Sequence, residues 1–242
     1  FPPGTVNVVT GLGAEAGAAL AAHPGIGSLT FTGSVATGRS EVVAYDKATA
    51  DLYIVNNAQD AVAGSDGRID VAHITAAGTM EAAGSINLAG LPGFGFVNSV
   101  AVKNGLIAVA YQNAVADQPG AIAFYDTATK TLVGEVVTVG VLPDQVVFSP
   151  DGTKLLVSNE AEALSASNNP VGSVSIIDLS AGVAAATVQT IGFGALAGNE
   201  PVLQDRGLAL FPGQPADADI EPEYISISPD GTRAYVTLQE VN

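Results

Sequence analysis

Cysteine and tryptophan are absent from the 242 residues, methionine occurs once, and only 6% of the chain is aromatic. Without cysteine there is no disulfide, no thiolate zinc site and no cysteine nucleophile. Basic residues are also scarce, with 8 Lys and Arg against 24 Asp and Glu and a formal charge of −16. Phosphate binding needs clustered Lys and Arg, so nucleic acid is excluded as a partner. No window reaches ~18 consecutive apolar residues, which excludes a transmembrane helix. The two histidines, His23 and His73, fall in different halves of the chain and make no histidine-cluster zinc site. No basic stretch precedes an apolar run at Phe1, so a signal peptide is expected to have been removed or never to have belonged.

Hydrophobic residues make up 48% of the chain, with 28 Gly and 13 Pro, a composition that suits short strands joined by many turns. The acidic surplus has two readings. It is either the solubilising surface of a secreted or salt-adapted protein, or a supply of oxygen ligands for Ca²⁺ or Mg²⁺.

The first 39 residues differ from the rest. Val6–Thr10 is strand-like, Ala14–Ala22 has helix propensity that ends at His23-Pro24-Gly25, and Leu29–Phe31 is strand-like again. From Glu41 onward the layout repeats. Paired strands are expected at Glu41–Tyr45 with Leu52–Asn56, Asn98–Val102 with Leu106–Ala110, Asp144–Phe148 with Leu155–Asn159, and Glu223–Ile227 with Ala234–Leu238. Ser149-Pro-Asp-Gly-Thr153 and Ser228-Pro-Asp-Gly-Thr232 are one hairpin turn written twice, with Pro presetting φ and Gly supplying a positive φ.

In the first three copies a third strand is expected at Arg68–Ile74, Ala121–Tyr125 and Ser173–Ile177. A fourth follows at Ala83–Leu88, Gly134–Val139 and Ala186–Ile191. Four antiparallel strands per unit make a propeller blade, so the fold class is all-β, a β-propeller with a short α/β-like N-terminal segment. The units start 57, 46 and 79 residues apart, and the excess over a plain blade lies in insertions at 57–67, 160–172 and 192–220. The blades span approximately 41–90, 98–140, 144–192 and 223–242. About three and a half are present, so a larger ring completed by a second chain or fragment is expected. A four-blade closure using residues 29–36 as the missing strand is the lesser alternative.

Pro3-Gly-Thr-Val-Asn-Val-Val-Thr-Gly11, His23-Pro24 and Phe31-Thr-Gly-Ser-Val-Ala-Thr-Gly-Arg39 resemble the cofactor domain of the aldehyde dehydrogenase superfamily. The resemblance implies that Gly33 and Ser34 lie near a dinucleotide pyrophosphate, where backbone amides favour an anion. Aldehyde oxidation is nevertheless excluded, because that family's catalytic cysteine has no counterpart here, and no NAD is expected. Glu41–Asp46, Asn98–Val102, Leu142–Val146, Ser149–Thr153, Ser158-Asn-Glu160, Gly172–Asp178, Glu221–Ile225 and Val236–Glu240 resemble the choice-of-anchor I family of bacterial extracellular β-propellers. That resemblance covers residues 40–242 and implies an extracellular or periplasmic protein. Alkaline-phosphatase and phytase-like labels in the family imply a metal-dependent phosphoesterase. Residues 1–39 then form a separate segment, a fusion or an artefact.

Aligning the blades puts Glu41, Asn98, Asp144 and Glu223 in one column at the start of the innermost strand, with Glu160 and Glu221 at the rim. Three carboxylates and an amide are hard oxygen donors, so the expected metal ligands are Glu41, Asn98, Asp144, Glu160 and Glu223, and the expected cofactor is Ca²⁺ or another divalent cation. The competing reading is that these residues cap strand starts. A bound ion would activate water against a phosphate ester, yet only Arg206 and Arg233 lie near the last unit to hold such a substrate. A non-catalytic cell-surface propeller binding a partner through its loops is the alternative, and an NAD-binding remnant the third. His73 is expected as a satisfied strand histidine, Asp46, Asp126 and Asp178 as Asx-turn residues, and Tyr45, Tyr53, Tyr125, Tyr224 and Tyr235 as blade-packing residues.

Overall fold

A computed structural model describes residues 30–32, 42–57, 67–165 and 167–238. The strand expected at Val6–Thr10, the helix at Ala14–Ala22, Gly33, Ser34 and Glu41 lie outside the described residues. Fifteen strands are described: β1 (Thr30–Thr32), β2 (Val42–Asp46), β3 (Asp51–Asn56), β4 (Arg68–Ile74), β5 (Met80–Asn87), β6 (Phe94–Lys103), β7 (Leu106–Asn113), β8 (Pro119–Asp126), β9 (Val137–Val141), β10 (Pro143–Phe148), β11 (Lys154–Asn159), β12 (Ser173–Asp178), β13 (Thr187–Gly192), β14 (Pro222–Ile227) and β15 (Ala234–Leu238). They form four antiparallel sheets in sequence order, β1 to β5, β6 to β9, β10 to β13, and the pair β14–β15. These are the expected blades, three and a half in number.

The second and third blades each bury both faces against their neighbours, so their middle strands read as continuous apolar runs. Ile107, Val109 and Tyr111 of β7 pack with Tyr53, Val55 and Ile69 of the first blade. Ala108 and Ala110 of the same strand, with Ile122 and Phe124 of β8, pack with Leu155, Val157 and Ile177 of the third. Leu156 and Val174 in turn meet Ile225 of β14. The outermost strand β13 is exposed along its whole length.

The two Ser-Pro-Asp-Gly-Thr turns have the same hydrogen bonds. Ser149 Oγ donates to Asp151 Oδ1 at 2.6 Å and Ser228 Oγ to Asp230 Oδ1 at 2.6 Å, while Gly152 and Gly231 take φ of 78° and 68°. Asp46, Asp126 and Asp178 each accept the amide two residues on, as the Asx-turn reading requires. His73 Nδ1 lies 3.0 Å from Asp51 Oδ1.

Three expectations are corrected. The strand expected at Gly134–Val139 is β9, which starts only at Val137, because Gly134 turns the chain at φ 71°. Residues 30–32 do not complete the last blade: β1 pairs with β2, Phe31 opposite Val43, covering the inner edge of the first blade. Tyr224 and Tyr235 are not packed between blades; they are 48% and 60% exposed, on the open face of the two-stranded sheet.

Polar side chains stitch the blades near the axis. Asn57 Nδ2 donates to Val97 O at 2.6 Å and Asn57 Oδ1 accepts Val97 N at 3.0 Å, joining the first and second blades. Ser158 Oγ donates to Glu223 O at 2.6 Å, and Gln145 Oε1 accepts Ile225 N at 3.1 Å, joining the third and fourth. Asn57→Ala removes both bonds and is expected to cost about 2 kcal/mol, read as a lower midpoint of denaturant unfolding.

The connections segregate to two ends. The tight hairpins between β2 and β3, β6 and β7, β10 and β11, and β14 and β15 share one end. The other, here the crossover end, holds the loops 114–118, 160–172 and 193–221, the last with two short helices, α1 (Glu200–Asp205) and α2 (Ala216–Asp219). Adjacent loops are tied there, Asn168 Nδ2 donating to Asp117 Oδ2 at 3.1 Å and Ala163 N to Glu221 Oε1 at 3.3 Å.

Candidate functional site

Strands β2, β6, β10 and β14 line a cavity of 540 Å³ along the axis. Its wall is apolar where Val100, Val146, Phe148 and Ile225 face it, and polar at the crossover end, where Asn98, Asp144 and Glu223 stand. The structure thus brings these three column residues to one cavity. Each also sits where the ladder slips: the β6–β7 register shifts between Val97 and Ser99, β10–β11 between Pro143 and Gln145, and β14–β15 between Pro222 and Ile225. A bulge inserts an unpaired residue and re-aims its side chain, and bulges gather next to binding sites.

The strand start expected at Asn98 is corrected, because β6 begins at Phe94 and Asn98 falls within the strand. Its Nδ2 donates to Pro143 O at 3.1 Å, so this amide also bridges the second and third blades.

Glu160 follows β11 at the same end. Burial, reinforced by the negative charges of Asp144, Glu223, Glu162 and Glu221, pushes its carboxyl up to about 8. Asp144 and Glu223, chosen from an alignment of repeats, and Glu160, expected at the rim, therefore feel one another in the fold. Glu162 was missed by sequence reasoning, although it stands two residues from Glu160. Ser158 and Gln145, which hold β14 against the third blade, gave no signal of that role beyond falling in segments with the family resemblance, since lone uncharged residues in a strand have no distinguishing period.

Beside Glu160 opens a second depression of 240 Å³, lined by Glu160, Glu162, Asn169, Phe211, Asp219 and Glu221. Asp219 Oδ2 accepts Phe211 N at 2.7 Å, which fixes the insertion loop over it. Among the described residues, no three His, Cys, Asp or Glu side chains are spaced to hold one metal ion.

The choice-of-anchor I domain model matches residues 41–242, and the chain belongs to that family. The family description points to a cell-surface or extracellular protein, and no helix among the described residues is long and apolar enough to cross a membrane. An aldehyde dehydrogenase family model matches residues 1–53. In that stretch the chain is similar to hydroxyisobutyraldehyde dehydrogenase of Mycolicibacterium austroafricanum, 69% identical over 39 residues, 16% of this chain and 8% of the relative. It is likewise similar to the chloroplastic betaine aldehyde dehydrogenase of Beta vulgaris, 63% identical over 44 residues, 18% of this chain and 9% of the relative. The chain thus spans under a tenth of these dehydrogenases.

Among solved structures, the fold is similar to a protein from Lactobacillus plantarum, with a TM-score of 0.51, 18% identity, and coverage of 81% of this chain and 49% of that one. The periplasmic gluconolactonase of Pseudomonas aeruginosa aligns at a TM-score of 0.49 and 18% identity over 87% of this chain and 61% of that chain. The chain spans about half of the Lactobacillus protein.

Proposed function

We propose that this chain is part of a cell-surface β-propeller acting as a binding module, whose ligand is a cation or cationic partner held at the crossover end of the axis. The observation that carries this reading is the placing of Asp144 and Glu223 at strand irregularities on one cavity, beside a Glu160 whose proton they help to retain. Carboxylates gathered this way repel one another, and a cationic ligand relieves the repulsion. An anionic substrate meets the opposite field, since the basic residue lining the cavity, Lys103, stands at the far end of β6 from Asn98.

The test is a thermal-shift titration with calcium chloride at pH 8, repeated with Asp144→Ala and Glu223→Ala. A rise in Tm that both substitutions abolish supports a cation site, and NAD is expected to give no shift. A metal-dependent phosphoesterase is the second reading, favoured by the same oxygen donors, Asp144, Glu160 and Glu223. Hydrolysis of a chromogenic phosphate ester that requires calcium and disappears in Asp144→Ala would replace the binding reading with it.

A further inference from the structure

We propose that the crossover end docks a basic, amphipathic polypeptide segment, with a Lys or Arg side chain in the depression beside Glu160 and an apolar neighbour against Phe211 and Leu164. This rests on the reading of the chain as a binding propeller and names the class of partner. Three observations converge on it. First, among the described residues the crossover end carries the greater acidic excess: Asp144, Glu160, Glu162, Asp219, Glu221 and Glu223 gather there against Arg68 and Arg206, while at the other end Lys47, Lys103, Lys130, Lys154 and Arg233 are interspersed with Asp46, Asp51, Asp126, Asp151, Asp178 and Asp230. Second, the depression is lined by several carboxylate acceptors that, among the described residues, form no metal cluster, and an ammonium or guanidinium with several N–H donors suits such a set. Its lining is short of donors: Asn169 Oδ1 is shut off from solvent and, among the described residues, accepts no hydrogen bond. Third, apolar groups adjoin the acidic lining, Phe211 and Ala163 within it and Leu164 next to Ala163 in the chain. Phe211, which lines the depression, is 66% exposed and Leu164 48%.

Such exposed apolar side chains bordering a charged cleft mark an interaction surface. Complementarity selects a basic segment over an anionic lipid surface or nucleic acid, which the carboxylates repel. The surrounding loops are pre-ordered for it, because Asp219 holds the amide of Phe211, Glu221 that of Ala163 and Glu200 that of Ala216.

Fluorescence anisotropy on the full chain tests this with a labelled Lys/Leu peptide, an oligolysine of equal charge and a Glu/Leu peptide. The Lys/Leu peptide is expected to bind most tightly, with Phe211→Ser and Glu162→Gln each weakening it about tenfold, as for anchor residues of an interface, and added salt weakening it further. Both substitutions are at exposed positions, and unchanged Tm values confirm the fold; Leu164→Ser serves if Phe211→Ser unfolds. Equal binding of oligolysine, indifferent to Phe211→Ser and Leu164→Ser, would overturn the docking surface while leaving the cation-binding reading intact. No binding by either cationic peptide or by calcium would overturn both.

Discussion

Replacing Lys130 by Ala is expected to destabilise the protein by roughly 2–3 kcal/mol, between the worth of an exposed ion pair and the cost of breaking a buried one. Lys130 Nζ donates to Asp51 Oδ2 at 2.9 Å and to Tyr53 OH at 2.7 Å, and also to Thr127 O, clasping the first blade to the second at the hairpin end. Asp51 and Tyr53 are buried, so the substitution strands a carboxylate with His73 and Thr49 beside it and, among the described residues, no full cation in contact. The ammonium also lies 4.8 Å from the centre of the Tyr53 ring, a further attraction lost. The measurement is denaturant unfolding with Lys130→Met alongside. If Met, which keeps the stem, costs as little as a surface change, the clasp contributes packing rather than charge.

The second large effect depends on pH. Glu160 holds its proton up to about 8 in the folded protein, against 4.5 for an ordinary glutamate. Below pH 4.5 both states are protonated and the group costs nothing. As pH rises toward 8 the unfolded chain ionises while the folded one does not, so stability falls, and above 8 the loss is complete. Glu160→Gln mimics the protonated form at every pH. The variant should match the parent in Tm near pH 4, gain on it steadily through the neutral range, and keep a constant advantage at pH 9. An advantage already full at pH 4 would show that the gain comes from packing, not from the carboxylate cluster.

Much of the architecture was legible because the hairpins repeat. The two Ser-Pro-Asp-Gly-Thr turns fix where β10 and β14 end, and the runs Leu155–Asn159 and Ala234–Leu238 follow them at the same distance. Strand ends were less legible where glycine intervenes, as at Gly134, whose left-handed φ delays β9. The outer tyrosines misled for a different reason: Tyr224 and Tyr235 have the pattern of packed residues, but β14–β15 offers one covered face, and they stand on the other.

The candidate site was legible as a column of residues and not as a geometry. Alignment chose Asp144 and Glu223, yet only the ladders show that both fall at register shifts, and Asn98 looked like a strand start because the bulge after Val97 hides the earlier part of β6. The depression lined by Phe211 and Asp219 was not legible at all. It is made by an insertion of 193–221 folded back on the loop after β11, a contact between segments with no shared period.

The most direct test of the acidic mouth is a carboxyl NMR titration of Glu160, assigned by loss of its resonance in Glu160→Gln. A midpoint near 8 that drops toward the ordinary range in the Asp144→Asn, Glu223→Gln double variant is the predicted result. A midpoint near 4.5 in the parent protein would contradict the account, since the carboxylates at the end of the axis would then not act on one another.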